Sequence, residues 1–199
     1  MLVGPAVRAQ RLNFRNYLAD QAANGTIYHM LQDSQGFLWF ATESGVLRFD
    51  GTEYRLFTVD DGLSDNEVLK IYADSKNRIW FLTLSGKLSY YLDGQIFNAG
   101  NDELVRKTSI NSAFTSFYED KQHNIWFSAL DNIYLKISPD NNVTRINLGG
   151  KLQGQECFFY EDDKNGLMIV GRSGFYRVAG DTGILVDFPY KFHKTKCYA

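Results

Sequence analysis

Asp33, Asp74, Asp120 and Asp162 are the residues of this chain that first invite a chemical reading, because each heads the same short pattern. The copies run DSQGFLW (33–39), DSKNRIW (74–80), DKQHNIW (120–126) and DDKNGLM (162–168), ending in Trp39, Trp80, Trp126 and Met168. Carboxylates that work as an acid–base pair must converge on one bond. Here each is followed at once by a polar turn, where an Asp oxygen accepts from backbone N–H groups two residues on. The four aspartates therefore read as turn formers, with Gly36, Asn77, Asn124 and Gly166 at positions that tolerate positive φ. Other chemistry is sparse. His29, His123 and His193 stand far apart, without Cys or carboxylates at metal-ligand spacing, so neither a metal nor a cofactor is expected. His29 and His123 read as structural. No nucleophile elbow, Cys–His signature or phosphate-binding glycine loop occurs, and GRSG (171–174) reads as a hairpin turn. Cys157 and Cys197 read as buried packing residues rather than a disulfide.

The elements that carry these residues follow from their spacing. The bulky residues stand 41, 46 and 42 positions apart, and a period in the low forties made of short strand signals is that of a propeller blade. Each period divides into four β-rich runs separated by turn residues. In the first these are 26–33, 37–42, 46–50 and 52–59. The second runs, FLWF, IWFL, IWFS and LMIV, are almost continuously apolar. That pattern belongs to a strand buried on both faces, as in a blade between two neighbours, so Trp39, Trp80, Trp126 and Met168 are expected to fill the gaps between blades. The fold class is all-β, with four four-stranded antiparallel blades. Linkers 60–66, 99–111 and 148–155 join them, and the longest accounts for the step of 46.

Composition agrees. Among 199 residues, 15% are aromatic, only three are Pro, and the net charge is −2. That fits a β-rich globular protein. The absence of a basic run argues against nucleic acid and anionic membrane surfaces as partners, and no apolar stretch is long enough to span a bilayer. Ala6 and Ala9, ahead of Gln10, resemble the cleavage end of a secretory signal.

Asp33, Gly36, Leu38, Trp39, Thr42, Gly45, Leu47, Arg48, Phe49, Asp50 and Gly51 closely resemble the two-component regulator propeller repeat. Asp61-Gly62-Leu63-Ser64-Asp65-Asn66 resembles the link between its blades. Repeat two keeps Trp80, Thr83 and Gly86, while repeats three and four drift and Met168 replaces the Trp. The resemblance implies a periplasmic sensor region of a hybrid two-component protein, with membrane, kinase or other output parts elsewhere. It also implies oligosaccharide as the ligand class and the remaining blades, downstream sensor domains and a second subunit as partners. This chain itself carries no catalytic constellation and is expected not to be an enzyme. A propeller-type carbohydrate-active enzyme (sialidase- or lyase-like) and a dimerisation scaffold are the alternatives.

The domain reading is 1–10 a signal-peptide remnant or disordered leader, 11–25 a lead-in strand, and 26–66 blade one. Blade two is 67–111, blade three 112–155, blade four 156–190, and 191–199 the truncated start of a fifth. The lead-in 14–28 echoes 54–69, and Cys197-Tyr198-Ala199 resembles Ile71-Tyr72-Ala73, so the chain reads as an open arc of a larger, seven-bladed-type propeller. Ligands are expected on the channel face made by second-to-third hairpins and linkers. The candidate ligand-binding residues there are Glu43, Ser44, Ser85, Asp131, Asn132, Arg172 and Ser173, beside Thr42 and Thr83. Asp60, Asp61, Asp65 and Arg106 form the rim. Arg172 stands out because a guanidinium can fork onto a carboxylate.

Overall fold

The computed structural model describes residues 26–146, 157–164, 166–171, 174–180 and 182–186. Within them the β-rich runs close into four antiparallel sheets of four strands, each a meander in chain order. The first holds β1 (Ile27–Gln32), β2 (Leu38–Thr42), β3 (Gly45–Phe49) and β4 (Tyr54–Phe57). The second holds β5 (Val68–Ala73), β6 (Ile79–Thr83), β7 (Leu88–Leu92) and β8 (Gln95–Phe97). The third is β9 (Phe114–Glu119), β10 (Ile125–Ala129), β11 (Ile133–Ile137) and β12 (Val143–Ile146). The fourth is β13 (Phe158–Asp162), β14 (Gly166–Gly171), β15 (Gly174–Ala179) and β16 (Thr182–Val186). The expected fold class is what forms. In the first three sheets the register shifts at the same place, where the first strand enters the sheet.

Successive sheets pack face to face through one apolar cluster per junction. Trp39, Ala41, Val46 and Phe57 of the first sheet join Val68, Ile71, Ile79 and Phe81 of the second. Trp80, Leu82 and Leu88 join Phe114, Ile125, Phe127 and Leu135 of the third, and Trp126 and Tyr134 join Cys157, Leu167 and Ile169 of the fourth. Trp39 and Trp80 are 0% exposed and Trp126 3%, so the indoles do fill the gaps between blades. Each faces forward. Trp39 meets Phe81 at 5.9 Å, Trp80 meets Phe127 at 5.5 Å and Trp126 meets Phe159 at 6.1 Å between ring centroids. Met168 is equally buried, at 2%. Cys157 is packed in the third junction, where the Tyr134 hydroxyl donates to its Sγ at 3.3 Å. Cys197, His193, the leader and the segment 187–199 lie outside the described residues.

The longest linker has a structure of its own that the sequence reading did not assign. It contains a helix, α1 (Glu103–Thr108), rather than open loop. Asp102 caps it by accepting from Val105 N at 2.8 Å, and a carboxylate at that end also suits the helix dipole. Leu104 and Val105 plug into the second junction, so the extra residues add packing as well as reach. Arg106, expected on the rim, is 60% exposed on this helix and paired with Glu103. The linker after β4 forms a 3₁₀ turn at Val59–Asp61, capped by Thr58.

Candidate functional site

An antiparallel meander places alternate turns at opposite ends of the sheet. The aspartate turns and the β3–β4 and β7–β8 turns therefore share one face, the turn face. The β2–β3, β6–β7 and β10–β11 turns share the other with the linkers. Bonds between sheets keep both faces in register. Ser34 Oγ donates to Asn77 Oδ1 at 3.0 Å on the turn face, and the Tyr28 hydroxyl donates to Glu67 at 3.4 Å on the linker face.

The turn face is built by the repeated aspartate, and the six-residue spacing has a specific cause. Asp33 Oδ1 accepts from Gln35 N at 2.9 Å and Phe37 N at 3.0 Å, while Oδ2 accepts from the Trp39 indole N–H at 2.7 Å. Asp74 accepts from Lys76 N, Arg78 N and, at 2.7 Å, Trp80 Nε1. Asp120 does the same with Gln122 N, Asn124 N and, again at 2.7 Å, Trp126 Nε1. One oxygen shapes the turn and the other satisfies the only polar atom of a buried indole, which would otherwise lose about 1–3 kcal/mol unpaired. Asp33, Asp74 and Asp120 thus shape their turns, but their second role was not read from the sequence. Methionine has no N–H, so the fourth repeat has no such donor. In repeat three the positive φ falls on His123 (60°) rather than on Asn124. Asn124 instead donates its side-chain amide to both Asp120 oxygens, at 3.1 and 2.9 Å.

Repeat two adds a buried ion pair. Arg78 Nε donates to Asp74 Oδ2 at 2.6 Å, and the two side chains are 6% and 1% exposed. The guanidinium lies over the Trp80 ring at 5.0 Å. Around it the second and third blades are stitched together. The Ser75 N–H donates to Glu119 Oε2 at 2.7 Å and its hydroxyl to Oε1, and Lys76 Nζ donates to Pro139 O at 2.6 Å. Burial works to raise the Glu119 carboxyl, but the Ser75 bonds and the His123 ring outweigh it and hold it below its ordinary value. The next junction repeats the device, with Lys121 N donating to Glu161 at 3.0 Å. The stitching glutamate precedes the repeat aspartate in both. In blade two that position is Ala73.

A cavity of about 440 Å³ opens beside Ala73, on the turn face between the first two blades, lined also by Asp33, Gln35, Asp74, Asn77, Tyr91 and Asp93. Sequence reasoning missed it. The signal was the departure of Ala73 from the Glu119–Glu161 pattern, and nothing in one chain marks that as an opening until the blade angle is known.

The expected ligand residues lie at the other end of the sheets. Glu43 and Ser44 are exposed in the β2–β3 turn, with Ser44 N donating to Thr42 Oγ1 at 3.1 Å. Ser85 is exposed, its hydroxyl 3.1 Å from that of Thr83. Asp131 is exposed and its N–H donates to Ser112 Oγ at 3.3 Å. Asn132 holds positive φ (58°), and its Oδ1 is buried without a hydrogen-bond partner among the described residues. Desolvation, then the charges of Glu67 and Glu43, push the Tyr28 phenol above its ordinary value. Asp61 accepts from Thr58 N at 3.0 Å and Asp65 from Glu67 N at 3.2 Å, both serving the linker itself. Arg172 and Ser173 lie outside the described residues, as does the side chain of Asp162. Among the described residues no group of three or more His, Cys, Asp or Glu is placed to hold a metal ion, and no helix is long and apolar enough to cross a membrane.

Comparison with known proteins agrees with this architecture. The two component regulator propeller family matches at residues 22–44 and 62–85. No curated protein matches the chain. Among solved structures, a virginiamycin B lyase from Staphylococcus aureus is 16% identical, with TM-score 0.61, over 86% of this chain and 58% of that one. The extracellular domain of a putative hybrid two component system from B. thetaiotaomicron is 20% identical, with TM-score 0.62, over 82% of this chain and 25% of that one. That of a putative one component system from the same organism is 18% identical, with TM-score 0.60, over 78% and 21%. The chain thus spans less than two thirds of each, and at such identities the likeness is one of fold. Residues 22–44 and 62–85 match the two-component regulator propeller repeat, and the four sheets are consecutive blades of β-propeller type.

Proposed function

We propose that this chain is a non-catalytic ligand-recognition segment from the sensing region of a bacterial two-component signalling protein. The observation that carries the reading is the pair of family repeats at 22–44 and 62–85, placed on the first two blades. The likeness in fold to the extracellular domains of a putative hybrid two component system and a putative one component system supports it. On this reading the segment works in the periplasm, as an arc of a larger propeller beside further blades and downstream sensor domains of the same protein. Its ligand is an oligosaccharide. The linker-face groups Glu43, Ser44, Ser85, Asp131 and Asn132, with Arg172 and Ser173, are the proposed contact surface, since exposed hydroxyl, amide and carboxylate groups suit hydroxyl-rich ligands. Binding shifts the propeller between states and so biases the output domain.

The virginiamycin B lyase likeness raises an enzymatic reading. The described linker-face turns carry no histidine to act as acid or base, which favours recognition without turnover. The test is a glycan array on the purified chain, followed by mass spectrometry of any ligand retained. Binding with the ligand intact supports the proposal, whereas cleavage of the ligand, or no retained glycan, rejects it.

A further inference from the structure

The cavity between the first two blades is not part of the linker-face surface, and its lining is chemically one-sided. Among the described residues it carries three carboxylates, Asp33, Asp74 and Asp93, and no Lys, Arg or His. Asp33 and Asp74 have their oxygens engaged by the turns and indoles; the charge of Asp74 is balanced by Arg78, whereas that of Asp33 remains and repels anions. Asp93 sits at the tip of the β7–β8 turn with φ 48°, and it takes part in none of the described ion pairs. Asn77 and Gln35 bring side-chain amides, and the half-buried Tyr91 brings a ring. A carboxylate can accept from two neighbouring hydroxyls, amides complete such bonds, and an aromatic ring packs against a C–H face. A volume of about 440 Å³ is within the range of small-ligand sites.

We infer that this cleft is a binding site for a neutral, hydroxyl-rich ligand of saccharide type, and that it exists because Ala73 replaces the stitching glutamate of later blades. It rests on the ligand-recognition reading above and adds a second place on the module. It also adds a discrimination, since acidic saccharides are turned away by the carboxylates of Asp33 and Asp93.

The test is calorimetric titration of the chain with maltotriose, cellotriose, xylotriose and digalacturonate. At least one neutral trisaccharide binds and digalacturonate does not. Asp93→Asn, which keeps a residue suited to positive φ before Gly94, weakens binding about tenfold, the loss of one or two hydrogen bonds. Ala73→Glu, at an exposed position, restores the stitch opposite Ser34 and abolishes binding while unfolding remains cooperative. Full binding in both variants with loss in Glu43→Ala moves the ligand to the linker face; the cleft proposal then falls and the recognition reading stands. Binding of digalacturonate, unchanged in Ala73→Glu, overturns the cleft as well. No binding by any probe overturns both.

Discussion

The junction between blades one and two and the junction between blades two and three share one frame and differ at their seams. Each has a forward-facing tryptophan held by its aspartate. At the second junction Ser75 is tied to Glu119, Lys76 and Arg78 reach Asn141 or Pro139, Tyr72 stacks on Phe117 at 4.7 Å and α1 fills the rest. At the first, Ser34 reaches Asn77, Arg48 donates to the Tyr91 hydroxyl at 2.9 Å, and a cleft remains. The difference teaches that the repeated positions set the wedge between blades, while the position just before each aspartate decides whether the seam is closed or open.

The largest expected effect comes from breaking the closed junction at its buried ion pair. Asp74→Ala strands the Arg78 guanidinium and the Trp80 indole together and destabilises the chain by about 3–5 kcal/mol, read as the shift in a urea midpoint. Asp33→Ala, at a turn without a buried cation, costs about 1–3 kcal/mol. Equal losses would mean that the ion pair does not distinguish the junctions. Gly86→Ala comes next, attacking the closed seam from the linker side. Gly86 has φ 74° and an added Cβ would sit 2.2 Å from the Ser112 carbonyl oxygen of the next blade's lead-in. The variant should lose at least about 1–3 kcal/mol of strain energy, whereas Gly36→Ala, with nothing within 4 Å of its Cβ, pays for backbone strain alone.

Glu119→Gln weakens the Ser75 stitch by about 1 kcal/mol at neutral pH and changes the pH dependence. Glu119 is held below its ordinary value of 4.5, so in acid the unfolded chain binds the proton first. Its contribution is therefore complete above about 4.5 and disappears as pH falls through the lower folded value. The melting temperature of the Gln variant should fall less steeply from pH 5 to pH 3, a range set by that group; parallel curves would remove Glu119 from the stitch. The smallest effect is that of Ala73→Glu, which should raise the midpoint at pH 7 by no more than about 1 kcal/mol. A loss of stability there would show that the first seam cannot accept the second seam's device.

Much of this architecture was legible in the residues. Apolar continuity in IWFL and IWFS can be satisfied only by burial on both faces, and an Asp followed by a polar turn has few local options. The expected gap-filling by Trp39, Trp80 and Trp126 needed nothing beyond that. The link between them was less visible. Six residues is also the distance around the hairpin, so the spacing looked complete without the indole hydrogen bond. Helix α1 was hidden by its brevity, although Asp102 ahead of Glu103 is a capping signal. The positive φ of repeat three was assigned one residue late, to Asn124 rather than His123, because both tolerate the turn, and only the bonds of Asn124 to Asp120 decide between them.

The sequence alone determined the period, the four-stranded units, the buried indoles and the turn-forming aspartates, since these follow from local backbone preference and from side-chain alternation along a strand. Tertiary structure decided which seams close. Whether Ser75 finds Glu119, or Ser34 faces the short side chain of Ala73 across an open cleft, depends on the angle and separation of neighbouring sheets. Those are set by the whole apolar interface and by no single stretch of chain.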